Sequence, residues 1–476
     1  MCDKQKNLKN NEINEDDIEI LKSFITKDED IFIKMQDGFL IEYDEEIRRH
    51  FQKRKRITLA IKRKDEIPNA LMKLKELNFL DLSFHKLKKI PKELGEFKNL
   101  KTVCLRSKKT LELPQGIEEL KALEKLEISC TKIKEIPKEI GELKNLKELS
   151  IDFDEVLEIS KGLNKLTNLK KLHLCSKKIL ELPKGLENFQ ALEMLKISCT
   201  KIKEIPKEVG ELKSLKELHI KVDGVLEIPK ELEKLKNLKK LSLFSEDALE
   251  LPKGLENFQW IQKMELGYGG IKQIPKEASK LKNLKELIWC PYSSKNLSKG
   301  LENFLYLRKF NIKTNITTIP KELIGLKNLK ELDLSGCSIT YVSGTIKHLE
   351  SLKRLDLNDN RINKISGELG KLKFLETLNL SHNYIKNIPQ ELGKLQKLKI
   401  INSSGNKIKE IPKELAELKN LEILNLSYNE IQEIPKELGE LKNLKRLDLS
   451  GNYIQEKPKE IKALEESIAL KKNQNV

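Results

Sequence analysis

Two histidines, two cysteines and a lysine come nearest, in type and spacing, to a group that could do chemistry. They are His173, Cys175, Lys196, Cys199 and His219. Imidazole and thiolate groups are common zinc ligands. If these residues lie on three neighbouring strands, His173 and His219 stand about 10 Å apart, whereas a Zn–N bond is about 2 Å long. Lys196 then lies between the two histidines and repels a cation, so we expect no metal site and no cofactor.

The sequence contains none of the familiar motifs of catalysis. It has no GxxxxGK[ST] phosphate loop, no GxSxG turn and no HExxH zinc motif. Residues 1–56, which precede the repeats described below, are too few for an ordinary catalytic domain. We therefore expect a protein that is not an enzyme, with no evident small-molecule substrate.

The elements that position these side chains follow from a repeat of 23 residues. Fourteen of the fifteen prolines share one phase of this repeat, with a single 22-residue step before Pro320. Serine takes the same position at Ser160, Ser298, Ser343 and Ser366. Because proline suits the first position of a helix and serine its cap, each repeat should restart a short helical or extended turn there.

An apolar pattern lies between the prolines, and one repeat shows it as Leu421-x-x-Leu424-x-Leu426-x-x-Asn429-x-Ile431. The alternation of Leu424 and Leu426 is typical of a strand. A single unit of this length cannot bury its own apolar stripe, so neighbouring units must stack. Seventeen units fit between Pro68 and Pro458. A longer period of 69 residues, with similar segments from Leu111, Leu180 and Leu249, indicates duplication of a three-repeat block.

This pattern resembles the leucine-rich repeat superfamily over roughly residues 57–458. It is similar to the 23-residue class found in Ras-suppressor-type, plant intracellular Ras-group and bacterial repeat proteins. The resemblance implies an α/β solenoid, a horseshoe with a parallel concave sheet of about 17 strands, a small α+β N-terminal cap and a C-terminal capping helix. It also implies a scaffold or adaptor that binds another protein on the concave face, with a small GTPase or its effector as the partner by analogy.

The chain divides into three parts. Residues 1–56 should form an N-terminal cap region with a helix at 16–25, a β-hairpin at 31–43 that turns at Asp37-Gly38, a helix at 45–52 and a basic segment. The alternative for this part is a small partner-binding module. Residues 57–458 hold the repeat array. Residues 459–476 should form a capping helix and a frayed tail, with Ile461, Leu464 and Ile468 at helical spacing.

Asparagine recurs after the strand in the later repeats, where its side chain can bond backbone groups of the adjacent repeat. The expected structural ladder comprises Asn315, Asn360, Asn383, Asn406, Asn429 and Asn452. Earlier repeats carry other residues there, including Lys108 and Lys177. A lysine cannot accept a hydrogen bond, so the first half should be less regular.

A partner site is expected on the concave face of repeats one to nine. Its anchors would be aromatic residues at exposed strand positions or strand ends, namely Phe84, Phe153, Phe244 and Tyr268. Lys196, Glu217, His219 and Lys221 lie between them. The alternative is that the phenylalanines at strand ends fold back into the core.

The net charge of +17 allows a second class of function. Lysine supplies 81 of the 91 basic residues, which weakens the case for base reading because arginine is the residue that grips guanine and phosphate. The densest basic segment includes Arg48, Arg49, Lys53, Arg54, Lys55 and Arg56, and the alternative function is binding of nucleic acid or an anionic membrane. Seven cysteines without clusters, no secretory signal and no long apolar run favour a cytoplasmic protein.

Overall fold

A computed structural model describes residues 31–34, 56–61, 77–84, 92–111, 116–133, 138–153, 157–158, 161–176, 180–181, 185–199, 205–222, 229–245, 255–268, 274–291 and 300–473. The chain forms two compact units. The first contains Met1–Asp223 and Pro229–Leu238, and the second contains Gly224–Ile228 and Lys239–Val476.

The first unit is built on parallel strands. In chain order its strands are β1 (Ile31–Lys34), β2 (Arg56–Ile61), β3 (Phe79–Phe84), β4 (Thr102–Leu111), β5 (Lys125–Ile133), β6 (Glu148–Phe153), β7 (Leu157–Glu158), β8 (Lys171–Ser176), β9 (Leu180–Glu181), β10 (Met194–Ser198) and β11 (Glu217–Lys221). The sheet runs β2-β3-β4-β5-β6-β8-β10-β11, with every pair parallel. Strand β1 pairs antiparallel with β2, and β7 pairs with β9.

The second unit repeats this arrangement. Its strands are β12 (Lys240–Ser245), β13 (Lys263–Tyr268), β14 (Glu286–Pro291), β15 (Lys309–Ile312), β16 (Glu331–Asp333), β17 (Tyr341–Val342), β18 (Arg354–Asp356), β19 (Lys364–Ile365), β20 (Thr377–Asn379), β21 (Ile400–Asn402), β22 (Ile423–Asn425) and β23 (Arg446–Asp448). Ten of them form a parallel sheet in chain order, and β17 pairs with β19.

The predicted α/β fold of stacked repeats is confirmed in each unit. Among the described residues, seven repeat strands lie in the first unit, from β3 to β11, and ten lie in the second. The strand pattern follows the sequence because side chains alternate between the core and the surface. In β6, for example, Leu149, Ile151 and Phe153 are buried while the residues between them are partly exposed.

Between Lys92 and Glu440, each return arm that the structure describes is a short 3₁₀ helix. These helices are Lys92–Glu96, Ile117–Glu119, Lys138–Glu142, Lys161–Lys165, Leu186–Asn188, Lys207–Glu211, Lys230–Lys234, Leu255–Asn257, Lys276–Lys280, Leu301–Asn303, Lys321–Gly325, Gly344–His348, Gly367–Lys371, Gln390–Lys394, Lys413–Glu417 and Lys436–Glu440. Proline takes extended backbone just before the helix, as Pro229 does, and Ser366 caps its helix by accepting a bond from the Glu368 N–H. Three-residue helices recur at 117, 186 and 255 with the 69-residue period, and a fourth begins at 301.

The C-terminal helix is also confirmed. Helix α1 (Lys459–Asn473) directly follows Pro458, and it buries Ile461, Leu464 and Ile468. None of the helices among the described residues is long and apolar enough to cross a membrane.

The first strand of the expected hairpin at 31–43 is present as β1, and it pairs antiparallel with β2. The expected second strand of the hairpin lies outside the described residues. The expected helices at 16–25 and 45–52 and the turn at Asp37-Gly38 lie outside the described residues. So do Arg48, Arg49, Lys53, Arg54 and Lys55, and of Arg56 only the backbone is described, at the start of β2.

An asparagine ladder follows the strands from Asn360 to Asn452. Asn406 shows the pattern: its Oδ1 accepts from the N–H of Ile385 at 3.0 Å, and its Nδ2 donates to the carbonyls of Leu380 at 2.9 Å and Ser403 at 3.1 Å. The bonds to Ile385 and Leu380 tie the side chain to the preceding repeat. Equivalent bonds are made by Asn360, Asn383, Asn429 and Asn452.

The prediction for Asn315 is wrong. This side chain is exposed, and its Oδ1 accepts from the Ser338 hydroxyl at 3.3 Å. The reason is the shortened repeat before Pro320, since the buried Ile316 follows directly where other repeats place one residue between asparagine and isoleucine. With that residue missing, Ile316 takes the core position and Asn315 is displaced outward.

Candidate interaction surface

The sheet face is the set of strand side chains that point away from the core. In the first unit its middle column places one residue of each strand next to the equivalent residue of the following strand. From β3 to β11 the column contains Asp81, Cys104, Glu127, Ser150, His173, Lys196 and His219. The parallel register therefore sets acidic residues at one end of the column and basic residues at the other.

The carboxylates at the acidic end pair with Arg106 of the neighbouring column and with Lys125, whose Nζ lies 2.8 Å from Glu127. Arg106 Nη1 donates to both carboxylate oxygens of Asp81, at 2.5 and 2.7 Å, and its Nη2 lies 3.6 Å from Glu127. The hydrogen bond to Asp81 raises the pKa of Arg106. Burial, together with a hydrogen bond to Glu127, raises the pKa of the Cys104 thiol to about 12, so this thiol stays protonated and is a poor nucleophile.

The basic end consists of His173, Lys196 and His219 in one row. Lys196 is directly opposite both histidines in the register, as the sequence predicted. Burial and the nearby charge of Lys196 lower the pKa of His173 to about 4, so its imidazole is neutral at pH 7. His173 Nδ1 lies 3.1 Å from the Ser150 hydroxyl, and His219 Nε2 lies 3.1 Å from a Glu217 carboxylate oxygen.

The row provides neither a metal site nor a reactive thiol. No group of three or more His, Cys, Asp or Glu residues among those the structure describes is arranged to hold a metal ion. Cys199 is buried, and burial raises the pKa of the half-buried Cys175. Lys196 is exposed. Along β11 the partly exposed Glu217, His219 and Lys221 alternate with the buried Leu218 and Ile220. What the row offers is an array of hydrogen-bonding groups and charge on rigid strands.

The aromatic anchors expected on this face are only partly present. Phe153 is 1% exposed, so the prediction that it anchors a partner is wrong. It continues the inward alternation of Leu149 and Ile151, and the core explanation applies to it. The side chains of Phe84 and Tyr268 lie outside the described residues.

Phe244 belongs to the second unit and is half-buried. Its ring lies above Gly267 of β13, where a Cβ atom would come within 2.7 Å of the ring carbon Cε1. The glycine therefore makes room for the phenylalanine on the sheet face. Ile288 and Cys290 of the next strand are also partly exposed, which adds a small apolar area beside Phe244.

A shallow cavity of about 230 Å³ lies on the sheet face of the second unit. It is lined by Glu286, Lys309, Phe310, Asn311, Glu331, Leu332, Asp333, Arg354 and Asp356. Asn311 Nδ2 donates to Asp333 at 2.6 Å, while its Oδ1 is buried without a hydrogen-bond partner. Lys309 pairs with Glu331 at 2.8 Å, so the lining is polar and largely self-paired.

Beyond this cavity the middle column becomes regular. Its side chains each accept the N–H and the hydroxyl of a serine two residues later, in the pairs Asn379/Ser381, Asn402/Ser404, Asn425/Ser427 and Asp448/Ser450. These acceptors are satisfied within their own repeat. The column is therefore a structural, solvated surface, in agreement with its regular composition.

Comparison with known proteins identifies what the chain resembles. A family model described as a leucine-rich repeat region matches residues 55–162, 157–249 and 326–426, and a model for two leucine-rich repeats matches residues 419–465. A comparison with curated proteins gave no match.

Several solved structures are similar to this chain. A leucine-rich repeat protein of Leptospira interrogans is 31% identical, with a TM-score of 0.50, over 85% of this chain and 97% of its own. The ectodomain of a plant membrane receptor kinase from Arabidopsis thaliana, solved with Casparian strip integrity factor 2, is 27% identical with a TM-score of 0.40, over 81% of this chain and 51% of its own. The Arabidopsis receptor kinase HAESA, solved with the peptide hormone IDA and the co-receptor SERK1, is 20% identical with a TM-score of 0.44, over 92% and 90%.

Proposed function

The chain belongs to the leucine-rich repeat family, and from this premise we propose that it is a non-enzymatic scaffold that binds another protein through the sheet face of its first unit. Leucine-rich repeats generally serve as protein-binding scaffolds. The observation that carries the proposal is the charge pattern of the middle column. Asp81 and Glu127 form a cluster with Arg106 of the neighbouring column, and His173, Lys196 and His219 form the basic row. Rigid parallel strands hold both groups, and such charge arrangements give an interface its specificity.

A catalytic reading of the same residues is weaker. Ser150 and His173 stand at hydrogen-bond distance, as a nucleophile and its base would. A pKa of about 4 nevertheless makes His173 a poor base at neutral pH. The raised pKa values of Cys104 and Cys175 argue against thiolate chemistry in the same way.

The narrower expectations from the sequence remain part of the proposal. A small GTPase or its effector, in cytoplasmic signalling, is the partner class suggested by the resemblance of residues 57–458 to Ras-group proteins. The competing function is nucleic-acid or anionic-membrane binding through lysine-rich surfaces. It predicts affinity that falls steeply with salt.

A charge-reversal pull-down tests the proposal. Purified full-length chain is incubated with native lysate, with and without nuclease treatment, at low and high salt, and captured proteins are identified and quantified. Lys196→Glu should remove a specific partner, because it reverses the exposed centre of the basic row. Lys207→Glu is the matched control, since it makes the same change at an exposed position on the return arm of the same unit.

Retention of the same partner by Lys196→Glu would contradict the proposed site. Capture that disappears with nuclease or at high salt for wild type would favour the nucleic-acid alternative. A small GTPase among the proteins lost only from Lys196→Glu would support the narrower expectation.

A further inference from the structure

The turn that precedes each strand carries a second asparagine column, which the sequence analysis did not identify. Its side-chain Nδ2 atoms donate to a backbone carbonyl of the preceding repeat at 2.7–2.9 Å. The members are Asn145, Asn168, Asn237, Asn283, Asn328, Asn420 and Asn443. Because at least these seven of the described repeats use asparagine in this way, a departure from it forgoes a hydrogen bond between repeats.

Three departures in the second unit place large aromatic residues in solvent, and one of them, Phe374, is 48% exposed. Trp260 and Tyr306 occupy the column on either side of Asn283, and they are 45% and 37% exposed. Leu305, next to Tyr306, is 47% exposed. These side chains give up the asparagine bond without gaining a buried position, so fold stability does not explain them. Exposed aromatic side chains are the usual anchors of interfaces.

A row of unpaired cations lies two residues further along the same turns. Successive backbone bonds of 2.8–2.9 Å link Lys239, Gln262, Lys285, Arg308 and Lys330 from repeat to repeat. Among the residues that the structure describes, the four cations of this row form no ion pair, although Lys285 Nζ donates a hydrogen bond to the Lys282 carbonyl at 2.7 Å. Desolvation and the like charge of Arg308 lower the pKa of Lys285, and Lys285 Nζ lies 5.4 Å from the Tyr306 ring centroid.

The equivalent row elsewhere in the unit is neutralised. There lysine alternates with glutamate, and Glu376 pairs with Lys353 at 2.8 Å and with Lys399 at 3.0 Å. Glu422 pairs with Lys445 at 2.7 Å. In the two repeats that carry Trp260 and Tyr306, Gln262 and Arg308 take the place of glutamate in this row. Trp260 and Tyr306 therefore coincide with uncompensated positive charge, whereas the exposed Phe374 lies beside the neutralised row.

We propose that this turn edge, formed by Trp260, Leu305 and Tyr306 with Lys239, Lys285, Arg308 and Lys330, docks an acidic segment of a partner protein. The proposal rests on the protein-binding function but uses a different surface from the sheet face. The cations pair with carboxylates of the segment, and the aromatic and leucine side chains receive its apolar residues. Four repeat steps of about 4.8 Å match an extended segment of about six residues.

A protein segment fits this edge better than a nucleic acid. The two aromatic rings stand two repeats apart, roughly 10 Å, which is too far to stack neighbouring bases. Leu305 offers an aliphatic contact that base stacking does not use. Arginine, the residue best suited to phosphate and bases, occurs once in the row.

The test introduces, in the full-length chain, the residues that other repeats carry at these positions. Trp260→Asn with Tyr306→Asn returns the turn column to asparagine, and Gln262→Glu with Arg308→Glu returns the row to alternating charge. The probes are fluorescent 12-residue peptides that alternate Glu or Asp with Leu, Phe or Tyr, matched peptides with Gln for the acids, and a 20-nucleotide poly-dT strand. Phe374→Asn is the control, since Phe374 is an equally exposed member of the same column beside the neutralised row.

The proposal is supported if the wild-type chain binds acidic peptides and each double variant binds them about tenfold or more weakly. Phe374→Asn should bind them as the wild type does, and the melting temperature of the double variants should be unchanged or raised. The proposal is overturned if the wild-type chain binds no acidic peptide or binds the Gln peptides as tightly as the acidic ones. It is also overturned if neither double variant changes the binding of the acidic peptides. Stronger binding of poly-dT that the charge variant abolishes would also overturn it. Lys196→Glu separates the two proposals, because it should leave peptide binding at the turn edge intact.

Discussion

His173 shows how a single residue's surroundings decide its chemistry. Its place beside Lys196 follows from the repeat register, but its neutrality follows from burial, which the sequence does not display. Burial is the largest cause of its low pKa, and the charge of Lys196 is the second. The pKa of a histidine in an unfolded chain is about 6.5. As the pH falls, the unfolded chain therefore takes up this proton at a higher pH than the folded chain does.

The prediction is that His173 titrates near pH 4, measured by NMR of its ring protons in the full chain. The folded state should therefore lose stability as the pH falls from about 6.5 towards 4. Lys196→Gln should raise the pKa of His173 part of the way, because one of its two main causes is removed. Ser150→Ala should leave it low, because burial and Lys196 remain. Titration of His173 near 6.5 in the wild type would contradict the burial argument.

The sequence predicted the neighbours of a residue correctly where the register of the strands alone determines them. The row of His173, Lys196 and His219 was predictable because equivalent residues of stacked repeats must be neighbours. The burial of Phe153 could have been predicted too, since it continues the alternation of two core residues in β6. The position of the Phe244 ring could not, because it depends on the missing side chain of Gly267 on the next strand.

At the scale of the element, hydrogen-bonded asparagines join one repeat to the next. The 23-residue period predicted strands, their parallel order and the first ladder because a lone repeat cannot bury its stripe. The displacement of Asn315 was not predicted, since it required locating the missing residue within the shortened repeat. The second asparagine column was not predicted, because an asparagine in a turn is common. Only the structure shows that its side chain bonds to the preceding repeat.

Asn406→Ala should destabilise the second unit by about 2–4 kcal/mol. The substitution leaves the buried N–H of Ile385 without a partner, which costs about 1–3 kcal/mol. It also removes one of the two bonds to the Leu380 carbonyl, which keeps the bond from Asn383 Nδ2 at 3.0 Å, and the lost bond contributes about 1 kcal/mol. Urea unfolding followed by circular dichroism measures the loss. Asn402→Ala is the control, and it should cost less than about 1 kcal/mol because water replaces its partly exposed bonds to Ser404. Equal losses in the two variants would show that the ladder adds nothing beyond surface bonding.

At the scale of the whole molecule, stability comes from contacts between neighbouring repeats, so an uncovered end is a weakness. Helix α1 covers the last repeat, and Gly439 allows the close approach, since a Cβ there would lie 2.7 Å from the Cβ of Glu460. The sequence predicted this helix from three apolar residues at helical spacing. It did not reveal the contact with Gly439, because that glycine sits at a common position of the repeat.

Ile461→Ala should therefore destabilise the end of the array by about 2–4 kcal/mol, as expected for an isoleucine fully buried between α1 and the last repeat. Hydrogen exchange measured by mass spectrometry should show protection lost first in α1 and β23, then in β22, with β12 to β14 unaffected, because each repeat touches only its neighbours. Leu470→Ala is the control on the same helix, at a side chain that is 63% exposed, and it should change stability by less than about 0.5 kcal/mol. Uniform loss of protection from β12 to β23 would instead mean that the second unit unfolds as one cooperative block, and that the helix stabilises all of its repeats together.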